Sequence, residues 1–159
     1  MGTKFEKLTE SEILDLLSSE SVGHLGCCAD KKMYVIPISY AFKDQQLFFH
    51  SREGLKLNIM RKNPQVCFQV DSRRNMANWQ SVIVWGDFNE LEGAERKNGL
   101  RALVNRKLPL LSSATTHLGP SWPFSTEELD AIEGVVFSIH VREMSGRAEE
   151  TQEAPSYSL

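Results

Sequence analysis

The stretch Leu47–Val66, LFFHSREGLKLNIMRKNPQV, constrains the fold more than any other part of the chain. Its first apolar residues lead into His50 and Ser51, and a charged turn containing Gly54 follows. A short pattern of helical period comes next and ends at Pro64, because the residue before a proline is disfavoured in the helical conformation. The stretch therefore predicts a strand, a tight turn and a helix.

The predicted turn is suited to an anion, because the first turn of a helix leaves backbone N–H groups unpaired and carries partial positive charge. Ser51, His50 and Lys56 would add side-chain donors, and Gly54 would let the backbone approach a ligand closely. A glycine–lysine turn without the full phosphate-loop pattern is also compatible with an ordinary solvated junction. His50 itself has two readings, a ligand contact or a hydrogen-bonded strand histidine.

Lys56 is the best single candidate for a ligand contact. A lysine at the start of a helix is electrostatically unfavourable unless an anion lies nearby. The arrangement therefore predicts that Lys56 binds a negatively charged group.

The composition indicates one globular domain. The chain has 159 residues, of which 41% are hydrophobic and 25% charged. We expect the domain to span residues 1–143 and residues 144–159 to form a polar, disordered C-terminal tail. The net charge of -3 and the lack of long basic runs argue against a nucleic-acid-binding surface. No apolar run has membrane-spanning length and no signal-peptide core is present, which predicts a cytoplasmic protein.

The cysteines and histidines do not suggest a metal site or a disulfide framework. There are three cysteines and four histidines in the chain. Cys27 and Cys28 are adjacent in a predicted strand and would point to opposite faces. The histidines are scattered without metal-ligand spacing. We therefore predict reduced cysteines and no metal.

Most of the remaining chain reads as strands with a few helices. Thr9 and Glu12 predict a capping box for a first helix, Ala94–Lys107 predicts a later helix, and Ser125 predicts the cap of a short helix that ends near Gly134. The strands are expected at Val22–Ala29, Met33–Lys43, Leu47–Ser51, Gln65–Asp71, Trp79–Gly93 and Val135–Glu143. Successive antiparallel strands with few crossovers indicate a small barrel with attached helices.

Two strands carry additional information. Pro37 cannot donate to a ladder, so its strand should lie at a sheet edge or contain a bulge. The strand through Val82 and Val84 also has apolar residues, Ile83 and Trp85, on its opposite face. That second face needs a cover, and a symmetrical partner subunit is the simplest one for a chain of this size.

Three segments carry a resemblance to a known family: VIPISYAF, LFFHSREGLKLNIMRKNPQVCFQV and NWQSVIVWGDFNELEG. They resemble the FMN-binding split β-barrel proteins related to pyridoxamine 5′-phosphate oxidase, and especially the small bacterial flavoproteins that include the nitroimidazole-resistance proteins. The resemblance covers Leu8–Gly93 and resumes at Val135–Glu143. It implies a mainly β fold, an antiparallel six-stranded split β-barrel with flanking short helices. It also implies a homodimer that holds FMN, or alternatively FAD, between its subunits.

The resemblance also implies which residues contact the flavin. The strand backbone would face the flavin ring and ribityl chain, and His50, Ser51 and Lys56 would form the phosphate-binding turn. Trp79 and Ser81 would approach from the same or the other subunit, while Trp122 would either cover the flavin or anchor its own loop by packing. The complete set of expected cofactor-binding residues is Val35, Ile36, Pro37, Ile38, Ser39, His50, Ser51, Leu55, Lys56, Trp79, Ser81 and Trp122.

The function that the resemblance implies is a flavin-dependent oxidoreductase acting on a small planar acceptor. Leu55 stands where the vitamin oxidases carry an arginine, and no arginine-rich C-terminal motif is present, so oxidation of pyridoxamine phosphate is not expected. No acid-base pair stands out, and we assign no catalytic residue. The alternatives are a non-catalytic flavin carrier or sensor, and a relative that binds haem or a deazaflavin, with His24 or His140 as the axial ligand of a haem.

Overall fold

A computed structural model of the chain describes residues 2–106 and 128–152. The strands are β1 (Thr3–Lys7), β2 (Val22–Ala29), β3 (Lys32–Ser39), β4 (Ala41–Lys43), β5 (Gln46–Ser51), β6 (Gln65–Asn75), β7 (Asn78–Glu90) and β8 (Val135–Thr151). The helices are α1 (Glu10–Ser19), α2 (Leu55–Lys62) and α3 (Gly93–Asn105), with a single 3-10 turn at Leu129–Ala131. None of the helices in these two ranges is long and apolar enough to cross a membrane.

All strands belong to one antiparallel sheet, in the order β3-β2-β6-β7-β8-β5-β4, with β1 added beside β8. This confirms the prediction of a mainly β, antiparallel fold with attached helices. The expected number of six strands is wrong, since the sheet has eight. The open sheet curls so that β3 contacts β5. Pro37 therefore lies on an edge strand, as its missing N–H predicted.

The extra strands have identifiable physical causes. The segment expected to form one strand from Met33 to Lys43 is divided at Tyr40, whose side chain is buried and whose hydroxyl donates a 2.7 Å hydrogen bond to the Leu17 carbonyl. The other addition, β1, has the sequence TKFEK and an almost fully exposed surface. Among the described strands it pairs with β8 alone, and because its side chains are exposed its sequence has no hydrophobic signal.

The last strand is longer than predicted. We expected it to end at Glu143 and a disordered tail to follow, but β8 continues to Thr151 and the tail prediction is wrong for residues 144–151. This polar stretch is ordered because it forms ladders on both sides, with β7 and with β1. Gly146 also leaves room for Leu8 and Ile13 to pack against the strand. The predicted tail beyond residue 152 lies outside the described residues.

The first helix follows its sequence signals closely. Thr9 accepts a 3.2 Å hydrogen bond from the Glu12 N–H, and Glu12 accepts a 2.8 Å bond from the Thr9 N–H, which confirms the capping box. The helix α3 begins near its predicted start, and Lys107 at its predicted end lies outside the described residues. The short helix expected to end near Gly134 is a 3-10 turn, and its cap Ser125 also lies outside.

Aromatic packing holds the ends of the curled sheet together. Phe68 is fully buried and makes edge-to-face contacts with Tyr40 and Phe49, at ring-centroid distances of 5.0 and 5.2 Å. These contacts join β6 to β5 across the barrel interior. A second, smaller cluster packs α3 on the other face of β5 through Phe48 and Leu100. Because β5 is held on both faces, the residues at its end have a defined position.

The face of the sheet opposite the core is unusually apolar. Pairing across β3, β2, β6 and β7 places Val35, Gly26, Cys67 and Trp85 in one row. The side chain of Val35 is 67% exposed, whereas Val84 beside Trp85 is fully buried in the core. We call the surface formed by Val35, Pro37, His24, Cys67, Gln69, Ile83 and Trp85 the outer face.

Candidate functional site

The turn between β5 and α2 is held in place by an ion-pair network. Gly54 is the N-cap of α2 and, because it has no side chain, it makes no side-chain capping hydrogen bond at this position. Arg61 on α2 bonds both oxygens of Glu53, at 2.7 and 2.8 Å, and both oxygens of Glu90, at 3.0 and 2.8 Å. Hydrogen bonding to Arg61 lowers the pKa of the Glu53 carboxyl. The Glu53 carboxylate therefore shares the Arg61 guanidinium with the Glu90 carboxylate.

Lys56 is half-buried in the first turn of α2 and has no carboxylate partner among residues 2–106 and 128–152. Its neighbour is the thiol of Cys27 on β2. Burial raises the pKa of Cys27, and the Lys56 ammonium acts on that pKa in the opposite direction. Lys56 is thus on a helix that contacts β2, and none of the described carboxylates pairs with it.

His50 and Ser51 are both engaged by the protein backbone. The Nε2 of His50 lies 2.6 Å from the Glu133 carbonyl, and since a carbonyl only accepts, this nitrogen carries the proton. This contact fits the reading of His50 as a hydrogen-bonded strand histidine, and a ligand contact of His50 stays a prediction. The Ser51 hydroxyl is nearly buried and donates to the Arg52 carbonyl at 2.8 Å, which leaves its oxygen able to accept.

The free edge of β3 lies beside this turn, because β3 contacts β5 where the sheet curls on itself. Along the strand, Ile36 and Ile38 pack against the core, whereas Val35 and Pro37 are exposed on the outer face. The hydroxyl of Ser39 is buried and has no hydrogen-bond partner among the described residues. An orphaned buried hydroxyl is uncommon in proteins and favours a ligand or water at that place.

Trp79 and Ser81 do not lie near this turn in the same chain. Along β8, Ser51 pairs with Val135, whereas Trp79 pairs with Glu149. About 14 residues of strand separate these positions, or roughly 45 Å along an extended backbone. The two groups of predicted residues therefore lie beside opposite ends of the strand β8.

Trp79 and Ser81 are themselves held by side-chain hydrogen bonds. The Trp79 indole donates to Glu149 at 2.8 Å, and Ser81 accepts from the Gln69 amide at 3.0 Å. Leu55 is partly exposed at the start of α2, where an arginine would have added a second cation. The remaining predicted residue, Trp122, lies outside the described residues.

The structure adds a cavity that the sequence reasoning missed. It has a volume of about 490 Å³ at the end of the β6–β7 hairpin and includes Trp79 and Ser81 in its wall. The other lining residues are Gln69, Asp71, Arg73, Asn75 and Met76. The sequence did contain a signal for this cavity. Gln69, Asp71 and Arg73 occupy alternate positions of β6, so one face of this strand is polar over three successive positions.

Cys27, Cys28 and Cys67 are free, and no group of three or more histidine, cysteine or acidic side chains within the described ranges is arranged to hold a metal ion. Cys27 faces the interior, whereas Cys67 lies on the outer face. The turn that carries Lys56 and the free edge of β3 are thus the features of this part of the fold that suit a ligand.

Comparisons with known proteins agree on one family. The family model described as pyridoxamine 5′-phosphate oxidase matches residues 9–148. An uncharacterised protein of Rhizobium meliloti is 27% identical over 152 residues, covering 89% of this chain and 93% of its own length.

Solved structures show the same fold. An FAD-binding protein from Mesorhizobium loti is 28% identical, with a TM-score of 0.71 and coverage of 94% of this chain and 100% of the other. A candidate 5-nitroimidazole antibiotic resistance protein from Bacteroides thetaiotaomicron has a TM-score of 0.70 at 17% identity, covering 94% of this chain and 90% of its own. With a family match over most of its length and the same curled antiparallel sheet, the chain belongs to the pyridoxamine 5′-phosphate oxidase family.

Proposed function

We propose that the protein binds a flavin nucleotide, FMN or FAD, with its phosphate at the turn from Ser51 to Lys56. The observation that carries this proposal is the Lys56 ammonium in the first turn of α2, which pairs with no carboxylate of the described residues. Glu53, the acidic residue of the turn, is held by two hydrogen bonds from Arg61 and does not pair with Lys56. Backbone N–H groups and an ammonium together are a standard phosphate site.

The flavin ring and ribityl chain would then lie along the free edge of β3. The Ser39 hydroxyl would gain the partner that it lacks, and the exposed Val35 and Pro37 would offer an apolar surface. His50 would help to hold the turn in place, because its Nε2–H is already donated to the Glu133 carbonyl. The side chains present therefore fit such a group, although the single lysine gives a weaker grip than a lysine with an arginine.

A homodimer would bring the two separated groups of residues together. The part of the sheet that carries Trp79 and Ser81 would meet the turn from Ser51 to Lys56 of a second copy. Each flavin would then lie in a groove between the two subunits. The apolar outer face supports this arrangement, because exposed valine and tryptophan side chains in one continuous row are typical of an interface.

The dimer can be tested with charge substitutions. We expect Val35→Glu and Trp85→Glu each to convert a dimer into a monomer, because an interface core disfavours a buried, unpaired carboxylate. Light scattering coupled to gel filtration would measure the mass. Asn98→Glu, an equal charge change on exposed α3, is the control and should leave the mass unchanged. Monomeric wild-type protein at micromolar concentration would contradict the arrangement.

The reaction that we propose is reduction of a small planar acceptor, such as a nitroaromatic compound. The flavin would supply the electron chemistry, and the protein would supply position and exclusion of water. The protein shares its fold with the candidate Bacteroides nitroimidazole resistance protein, and the M. loti relative is described as FAD-binding.

The first experiment is a spectrum and a mass measurement on the purified protein. We expect flavin absorption bands and release of FMN or FAD on denaturation. A Soret band without flavin would replace the proposal with a haem protein. Bound flavin that, once reduced, is never reoxidised faster by a nitroaromatic acceptor than by buffer alone would favour a carrier or sensor.

A further inference from the structure

The cavity at the end of the β6–β7 hairpin has the character of a binding site in its own right. Trp79 and the 95% exposed Met76 supply apolar walls, and the polar residues lie along one side. A volume of about 490 Å³ is within the range of small-molecule sites. Exposed methionine beside tryptophan is an adaptable apolar surface for a flat ring.

The polar side of this cavity is a connected chain of hydrogen bonds. The Asp71 carboxylate accepts from Arg73 Nε at 2.6 Å, and the Gln69 amide nitrogen lies 3.0 Å from Ser81 Oγ and 3.4 Å from Asp71. Asp71 is largely shielded, with 23% of its side chain exposed, whereas Arg73 is 72% exposed. The network fixes the orientation of a carboxylate acceptor beside a guanidinium donor.

We propose that this cavity binds a planar ring that carries a primary carboxamide, the chemical class of the nicotinamide in a reduced pyridine nucleotide. A carboxamide offers an acceptor and a donor side by side. Its carbonyl would accept from the terminal nitrogens of Arg73, and its NH₂ group would donate to Asp71, while the ring lies against Trp79 and Met76. No contact of the Arg73 terminal nitrogens with a described residue competes with this arrangement.

The inference deepens the proposed function and rests on it for its biological meaning. If the partner's Trp79 and Ser81 approach the flavin, this cavity opens beside the ring and would hold the electron donor there. The binding prediction itself needs only the cavity of one chain, so it can fail while the flavin proposal stands.

The test compares equilibrium binding of NADH with that of its 3-acetylpyridine analogue, which keeps the carbonyl but lacks the NH₂ group. Anaerobic calorimetry on protein whose bound flavin has been reduced beforehand would measure both, because hydride transfer then cannot add to the heat of binding. We expect wild-type protein to prefer NADH roughly 10-fold or more, as loss of one hydrogen bond to a charged acceptor predicts. We expect Asp71→Ala to remove most of this preference while binding of the analogue changes little.

The matched control is Asp87→Ala, which removes the carboxylate of another arginine–aspartate pair on the same sheet, where Arg142 Nε lies 2.8 Å from Asp87. It should keep the wild-type preference. ADP-ribose tests whether arginine contacts with phosphate alone explain binding, and it should bind more weakly than NADH and be insensitive to Asp71→Ala. Trp79→Leu should weaken both nucleotides equally, and its thermal melt would show whether it folds.

Equal affinity of wild-type protein for NADH and the analogue would overturn the inference, as would a preference that survives Asp71→Ala. Flavin content is measured in the same samples. Normal flavin content with no discrimination would reject only the carboxamide site, whereas absence of flavin from the wild-type protein would reject the proposed function.

Discussion

Lys56→Ala is expected to weaken flavin binding roughly 10- to 150-fold, the range given by loss of one charge-assisted hydrogen bond to a phosphate. The effect should be large because Lys56 has no protein anion within the described residues and Leu55 supplies no second cation. Titration of the cofactor-free variant with FMN or FAD, followed by fluorescence quenching, would measure the affinity.

The control for this variant lies on the same helix. Lys62→Ala removes an identical ammonium from the other end of α2, where it pairs with Asp30 at 3.0 Å, and both side chains are mostly exposed. We expect flavin affinity within about 2-fold of wild type, since exposed pairs contribute little. If Lys56→Ala behaves like Lys62→Ala, the phosphate does not bind at this turn.

Phe68→Ala is expected to have the largest effect on stability, about 3–5 kcal/mol in the free energy of unfolding. The ring is fully buried and joins Tyr40 to Phe49 across the interior, so its removal leaves a cavity at the point where the curled sheet is held together. For a domain of this size the melting temperature should fall by roughly 6–20 °C. Calorimetry on the flavin-free protein would measure it.

An exposed phenylalanine provides the comparison. Phe5 on β1 is 71% exposed, and Phe5→Ala should change the free energy of unfolding by no more than about 0.5 kcal/mol. Similar losses for the two variants would mean that burial in the described structure does not determine the stability of the sheet.

The parts of the fold that depend on neighbouring residues were predictable from the sequence. The capping box at Thr9 depends only on Glu12, three residues later. Pro37 indicates an edge strand because proline has no backbone N–H to donate. Asp44 and Gln45 form the two-residue connection between β4 and β5, and both have positive φ, the geometry favoured between twisted strands.

The parts that depend on distant partners were not predictable in the same way. The strand continues to Thr151 because β7 and β1 pair with it, and nothing in its own polar sequence indicates this. The role of His50 depends on a carbonyl 83 residues away in sequence. The cavity around Asp71 likewise needs the register of β6 with β7, which alternation alone does not give.

The candidate site shows the same division. The turn from Ser51 to Lys56 could be identified because its residues are contiguous and its helix start has a known electrostatic preference. The distance between that turn and Trp79 follows only from the pairing along β8. This distance is the reason that we propose two chains for each flavin site.

A mixing experiment tests the central claim, that each flavin is held by the Ser51–Lys56 turn of one chain and the Ser81 end of another. Lys56→Ala and Ser81→Arg would each be prepared as flavin-deficient protein, unfolded together in equal amounts and refolded. Random pairing makes about half of the dimers mixed, and each mixed dimer has one site with both walls intact.

Flavin content per chain would be measured after refolding with excess FMN or FAD and removal of free cofactor. Our account predicts recovery to about one quarter of the wild-type content, with no recovery when either variant is refolded alone. A mixture that binds no more flavin than the two separate variants would show that both groups of residues do not meet across a subunit boundary, and would contradict the account.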